Sequence, residues 1–263
     1  MLLQLLLGFL SAALIAFGAY RAHSLSRSGA WGALLEGTII FGLGGWRWAV
    51  LLLAFFISSS ALTRLFGKKK ASLYEKFDKG GKRDIGQVLA NGAVASFFAG
   101  LHFFFPAATW TWVACAASLA AVNADTWATE LGVLNPSLPR LITSWKPVER
   151  GTSGGISLHG TLAATSGAAF IAILGGWLGP AGRGWVNLEI MLIAGLLGSL
   201  FDSILGATVQ AMYRCPQCDK ETEKHPLHTC GTETVQVRGW SWLNNDMVNL
   251  GCALVGGVIG MIL

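Results

Sequence analysis

Residues 2–20, 29–45, 46–63, 86–105, 109–131, 156–178, 188–211 and 244–263 each form an apolar run long enough, or nearly so, to cross a bilayer. Hydrocarbon offers no water to backbone N–H and C=O groups, so runs of this length are read as helices that satisfy those groups internally. The expected fold is all-α, a polytopic transmembrane bundle of about seven or eight spans in a single integral membrane domain covering residues 1–263. The second run is short and glycine-rich and holds Glu36, which leaves a re-entrant or tilted segment open there. Met1–Tyr20 has no basic residue ahead of its apolar stretch and reads as the first span rather than a cleaved secretory signal.

Composition excludes a soluble globular class, with 53% hydrophobic residues, 13% charged residues and a mean hydropathy of +0.54. The 34 glycines suit helices that approach closely where no water drives their association. Five cysteines, an odd number without a regular spacing, fit a reduced compartment better than a disulfide framework.

Eight spans divide the loops into two alternating sets, and the 19 Lys and Arg residues divide very unequally between them. All but Arg47 and Arg183 fall in one set, which the positive-inside rule makes cytoplasmic. Both termini then lie on the opposite side of what is expected to be the cell (plasma) membrane. The basic run Lys68–Lys70 is read as a lipid-attracting topology signal, and no nucleic-acid partner is implied. Trp46, Trp48, Trp110 and Trp112, at span ends, are read as interface anchors, with Trp127 as the exception.

Polar residues recur inside several runs. Asn123-Ala-Asp-Thr-Trp-Ala-Thr-Glu-Leu-Gly132 places Asp125 and Glu130 late in the fifth span, and ionisable groups in a span are kept for a partner, an ion or a substrate. At the helical rise, Asp125 lies about 24 Å and Asp202 about 21 Å from the outer ends of their spans. Asp84 and Asn91 open the fourth span from the basic side, and Asn244, Asn245, Asp246 and Asn249 open the eighth. These groups therefore gather at one depth, near the cytoplasmic face. Asn91, Asn123, Asn244 and Asn249 are open to two readings, interhelical hydrogen-bond partners or groups that touch substrate.

Two loops carry further patterns. Lys146 and Arg150 precede Gly151-Thr-Ser-Gly-Gly-Ile-Ser157 and a helix, an arrangement that can cradle phosphate on backbone amides although it lacks the Gly-Lys-Ser/Thr ending of a P-loop. Residues 212–243 hold Cys215-Pro-Gln-Cys218, His228 and Cys230, a spacing that can close a tetrahedral zinc site of structural type. Cys115 and Cys252, inside spans, are packing residues.

Taken in order, Lys79–Gly92, Asn123–Gly132, Arg150–Ser157, Asp202–Gln210 and Asn244–Asn249 resemble the successive motifs of the membrane family that includes the plastid phytyl-phosphate kinase. The resemblance runs from about residue 30 to the C-terminus. It implies transfer of a nucleotide's terminal phosphoryl group, CTP being the expected donor, to an isoprenyl monophosphate in the bilayer. Mg²⁺ is the expected cofactor. Phosphoryl transfer works by positioning and charge neutralisation. On that expectation Asp125, Asp202 and Asp246 are the Mg²⁺ ligands, with Asp84 and Glu130 behind them. Lys82, Arg83, Lys146 and Arg150 neutralise phosphate, and the amides of Gly151, Thr152, Ser153, Gly154 and Gly155, with Ser157, hold its oxygens. Asn91, Asn123, Asn245 and Asn249 complete the substrate-binding set. Two other readings compete: an ion-coupled transporter of a small or lipidic anion, whose site belongs nearer the midplane, and another lipid-phosphate reaction using the same carboxylates and cations.

Overall fold

The computed structural model describes residues 2–67, 76, 81–179 and 185–263, so Lys68–Lys70, Lys79 and Arg183 lie outside the described residues. Among these the chain forms eight α-helices: α1 (Leu2–Arg21), α2 (Arg27–Ile39), α3 (Trp46–Phe66), α4 (Ile85–Phe104), α5 (Thr109–Gly132), α6 (Leu158–Leu178), α7 (Leu188–Thr208) and α8 (Asn245–Ile262). Six of them, all but α2 and α5, are long and apolar enough to cross a membrane by length and composition.

The two exceptions have different causes. Helix α2 has 13 residues and runs directly into a five-residue π-helical turn, Ile40–Gly44. Gly45, at φ +92°, then reverses the chain into α3, a conformation that a side chain would strain. The second run is thus a helix with a π-helical end. Helix α5 has 24 residues, but Ala, Thr, Asn, Asp and Glu fill positions that Leu and Ile take in its neighbours. It can be polar because lipid does not reach it: Thr111–Ala124 is buried without a break, and α3, α4, α6, α7 and α8 pack around it.

Small residues make that packing close. A Cβ added at Gly198 of α7 would stand 2.5 Å from the Ala121 Cβ of α5, and one at Gly256 of α8 would stand 2.7 Å from the same atom. Helix α1 repeats the device with Gly8, Ala12 and Ala16 buried at four-residue spacing, while Leu3, Leu14 and Phe17 face outward. The tryptophan expectation needs correction. Trp46 is exposed, but Trp48 and Trp112 are buried with their rings edge-on at 5.2 Å. Trp112 Nε1 donates to the Gly175 carbonyl at 3.1 Å, so these two rings plug the bundle core instead of anchoring at the interface.

The connections after α1, α3, α5 and α7 meet at one end of the bundle. Ser26 N donates to the Arg83 carbonyl, and Arg64 reaches the Ala22 carbonyl and Ser24 Oγ. Two small sheets form there: a two-stranded pair, β1 (Arg140–Leu141) with β2 (Gly155–Ile156), and a three-stranded antiparallel sheet in the order β4 (Lys220–Thr222), β3 (Met212–Cys215), β5 (Val235–Arg238). They add a little strand to a helical architecture, and the second sheet is the scaffold of the Cys/His loop.

Candidate functional site

A cavity of about 390 Å³ lies at this loop end, walled by α4, α5, α6, α7 and α8 and roofed by the glycine-rich loop before α6. Polar residues from separate helices converge on it. Asp125 of α5 and Asp202 of α7 both line it, and their carboxyl groups meet within hydrogen-bonding reach. Asp202 Oδ2 is buried, and among the described residues nothing donates a hydrogen bond to it. Two carboxylates this close repel unless a cation or a proton lies between them.

Glu130, one helical turn beyond Asp125, accepts a hydrogen bond from Thr63 Oγ1 at 3.0 Å and is the carboxylate whose field acts on Arg83. The Arg83 guanidinium sits over the rings of Phe55 and Phe56, at 5.2 and 5.7 Å, and also lines the cavity. Burial lowers its pKa to about 10 while Glu130 opposes the shift, so it stays charged at neutral pH without full hydration. Such a guanidinium is a strong attractor of anions. Its backbone is pinned as well: Arg83 N donates to the Ser24 carbonyl, and a Cβ added at Gly29 would fall 2.1 Å from the Arg83 carbonyl oxygen.

The loop Gly151–Gly155 lines the cavity together with Arg150 and Ser157. Gly151 and Gly154 have positive φ, and a Cβ at Gly154 would stand 2.5 Å from the backbone nitrogen of Ala207 at the end of α7. The loop spends two of its own amides: Thr152 N donates to the Glu149 carbonyl and Gly155 N to the Thr152 carbonyl. The expected cradle of five amides is therefore narrower, and among the described residues the amides of Gly151, Ser153 and Gly154 are the ones no internal bond engages. Ser157 caps α6, its Oγ accepting from Gly160 N at 3.1 Å.

Other expected site residues divide. Asn91, Asn245 and Asn249 line the cavity, and Asn91 Nδ2 donates to the Gln87 carbonyl. Asn123 does not: it is fully buried, accepts from Ser58 Oγ at 3.2 Å and donates to the Gly167 carbonyl at 2.7 Å, tying α3, α5 and α6 together. Asp84 is the N-cap of α4 in a reciprocal capping box with Gln87, and it is this local backbone role that keeps it outside the cavity lining. Lys82 and Lys146 are exposed and do not line it either. Asp246 is buried in the first turn of α8 and is not among the lining residues. Among the described residues the only cluster of three or more Cys, His, Asp or Glu side chains close enough to share an ion is Cys215, Cys218, His228 and Cys230, so Asp246 does not complete a carboxylate trio.

Two acids went unassigned by the sequence. Glu223, just past β4, lines the cavity and accepts from Ser153 Oγ at 2.7 Å and Gln210 Nε2 at 2.9 Å. Glu36 is 3% exposed against Gly92, with Oε1 unpartnered among the described residues, in a narrow apolar cavity that shares Arg83, Gln87 and Asn91 with the main one.

The family described as "Integral membrane protein DUF92" matches residues 10–257. The chain belongs to this family. It is the membrane family that the order of the motifs pointed to. Within it the chain is 36% identical to Protein PGR of Arabidopsis thaliana, over 94% of this chain and 91% of that protein. It is 31% identical to an uncharacterised membrane protein of Methanocaldococcus jannaschii, over 100% and 95%. It is 28% identical to Protein VTE6, chloroplastic, of Arabidopsis thaliana, over 91% of this chain and 65% of that one. No solved structure matches the chain.

Proposed function

We propose that this DUF92 protein is a prenyl-phosphate kinase, transferring the terminal phosphoryl group of a nucleoside triphosphate, CTP by resemblance, to an isoprenyl monophosphate. The observation that carries the reading is the Asp125–Asp202 pair facing across one cavity that also holds Arg83, Arg150 and the glycine loop. A site with both acids and guanidinium groups suits two phosphate-bearing partners better than one.

The residues fit Mg²⁺, which takes one or two protein carboxylates and completes its shell with water and substrate phosphate; the unpartnered Oδ2 of Asp202 is the free ligand atom such an ion needs. Bound there, Mg²⁺ would neutralise phosphate charge. Asp125 and Asp202 would hold it. Arg83 and Arg150 would draw the two anionic partners together against their repulsion, and the amides of Gly151, Ser153 and Gly154 would donate to a nonbridging oxygen. The isoprenyl monophosphate oxygen attacks the terminal phosphorus, the bond to the nucleoside diphosphate breaks, and the diphosphate lipid forms. No general base is needed, because the attacking phosphate is already ionised at neutral pH. By the positive-inside rule the loop end faces the cytoplasm, where nucleotide is present while the prenyl tail stays in lipid.

The test is direct. Purified protein with Mg²⁺ and each nucleotide, radiolabelled on the terminal phosphoryl group, is offered phytyl, geranylgeranyl and farnesyl monophosphates. Labelled lipid diphosphate from wild type, lost in Asp202→Asn, is expected. Absence of product with every pair, together with substrate-driven uptake by sealed vesicles, would replace the kinase with a carrier.

A further inference from the structure

The Cys/His loop is built as a hairpin whose tip gathers four metal-ligating side chains. Cys215 ends β3, and Cys218 lies in the turn that Asp219, at φ +54°, closes by donating N–H to the Cys215 carbonyl. His228 and Cys230 come from a second turn, in which His228 N donates to the Thr232 carbonyl and Gly231, at φ +84°, donates to the His228 carbonyl. The ligand atoms of all four lie within 4.8 Å of one another. Cys215 and Cys230 Sγ are 3.5 Å apart, and His228 Nδ1 is 3.2 Å from Cys230 Sγ. Zinc–sulfur bonds of about 2.3 Å at tetrahedral angles put sulfurs about 3.8 Å apart, so the four surround a point of the right size. A disulfide would use two thiols and leave the third and the imidazole unexplained. His228 is 4% exposed, its Nδ1 faces Cys230 Sγ, and among the described residues its buried Nε2 has no hydrogen-bond partner.

The hairpin begins and ends at the cavity. Gln210 precedes β3 and Glu223 follows β4; Tyr213 pairs with Thr222 and Cys215 with Lys220 between them. Gln210 and Ser153 both donate to Glu223 Oε1. Glu223 N donates to the Lys76 carbonyl, while Lys76 Nζ pairs with Glu149 at 2.7 Å and donates to the Arg150 carbonyl. Lys76, the glycine loop and the hairpin therefore lock through Glu223.

We propose that Cys215, Cys218, His228 and Cys230 bind one Zn²⁺, and that this ion closes the hairpin so that Glu223 braces the glycine loop at the roof of the cavity. Three thiolates and an imidazole select zinc over hard cations, and four protein ligands leave no open position, so the ion is structural. The inference stands apart from the kinase reading, since neither zinc content nor hairpin order requires a substrate.

The full-length protein, purified without added metal under reducing conditions, is expected to carry about one zinc per chain by elemental analysis, and Cys218→Ser and His228→Ala much less. Cobalt in its place should give the near-ultraviolet thiolate charge-transfer band and the strong visible bands of a tetrahedral site. Stripping wild type with a zinc chelator avoids any folding defect of the variants: it should leave far-ultraviolet helicity unchanged while trypsin cleavage at Lys220 and Lys224 rises at least tenfold, reversed by zinc. Metal-free wild type with a Cys215–Cys230 disulfide, or zinc retained in both variants, would overturn the site. Zinc loss with unchanged cleavage would overturn the brace.

Discussion

The carboxyl groups of Asp125 on α5 and Asp202 on α7 face each other in hydrogen-bonding reach, although 76 residues separate them in the chain. Helix α5 can present an acid there because five helices wrap it, and α7 comes close enough because Gly195 and Gly198 put backbone against Ala120 and Ala121. The small-residue seam is thus what sets the separation of the two acids.

Replacing either acid with the isosteric amide relieves a buried repulsion while removing a metal ligand. Asp125→Asn and Asp202→Asn are therefore expected to fall on the order of 100-fold or more in kinase rate, with a melting temperature equal to or above wild type without metal. Fluorescence-detected melting beside the radiolabel assay checks both. A variant that melted early would mean that the acids hold the fold instead of the reaction.

Glycine substitutions separate close approach from helix propensity. A Cβ at Gly198 would lie 2.5 Å from Ala121 Cβ and 2.8 Å from the Cys252 carbonyl oxygen, whereas one at Gly100 on α4 meets nothing within 4 Å among the described residues. Gly198→Ala should destabilise by about 1–3 kcal/mol through overpacking, and Gly100→Ala should stabilise by about 0.5–1 kcal/mol. Melting midpoints moving in opposite directions are the expected readout.

The eight helices were legible because an apolar run in hydrocarbon has one way to satisfy its backbone, and the expected runs fall within a few residues of the helices. Asp125 and Asp202 were legible for the same reason, as acids in apolar surroundings. Glu36 met that rule too, yet its glycine-rich neighbours drew attention to topology. Asp84, Lys82, Lys146 and Asp246 share motifs with cavity residues, but neighbours in sequence point different ways once a helix starts: Asp84 turns back to cap while Asn91, two turns on, reaches the cavity. Glu223 was invisible because an acid in a polar loop carries no signal, and only the fold of the hairpin brings it to Ser153.

Asn123 and Asn249 make a paired test of framework against site. Asn123 bonds to Ser58 and the Gly167 carbonyl away from the cavity, and Asn249 lines it. Asn123→Ala is expected to cost about 1 kcal/mol of stability and to leave turnover of the folded fraction near wild type. Asn249→Ala should show the reverse, a changed KM with an unchanged melting curve. Kinetics normalised to folded protein distinguish them, and identical behaviour of the two would contradict the assignment.

Arg83 offers the sharpest test of how the cavity handles anions. Its backbone bonds to Ser24 and Ser26 are independent of the side chain, so a substitution should leave the loop anchored. The guanidinium carbon lies 5.2 and 5.7 Å from the ring centres of Phe55 and Phe56, within the field of Glu130, an arrangement that uses a delocalised, weakly hydrated cation. Lysine keeps the charge but concentrates it on one strongly hydrated nitrogen that sits less readily against two aromatic rings. Arg83→Lys is therefore expected to raise the KM for the phosphate-bearing substrate about tenfold with a smaller change in kcat, a loss of about 1.4 kcal/mol of binding. Arg83→Gln removes the charge, so the loss should be larger and should grow as salt falls, because less screening exposes the anionic substrate to the cavity carboxylates. Steady-state kinetics at two ionic strengths read both effects, and a KM unchanged in Arg83→Gln would remove this side chain from phosphate binding.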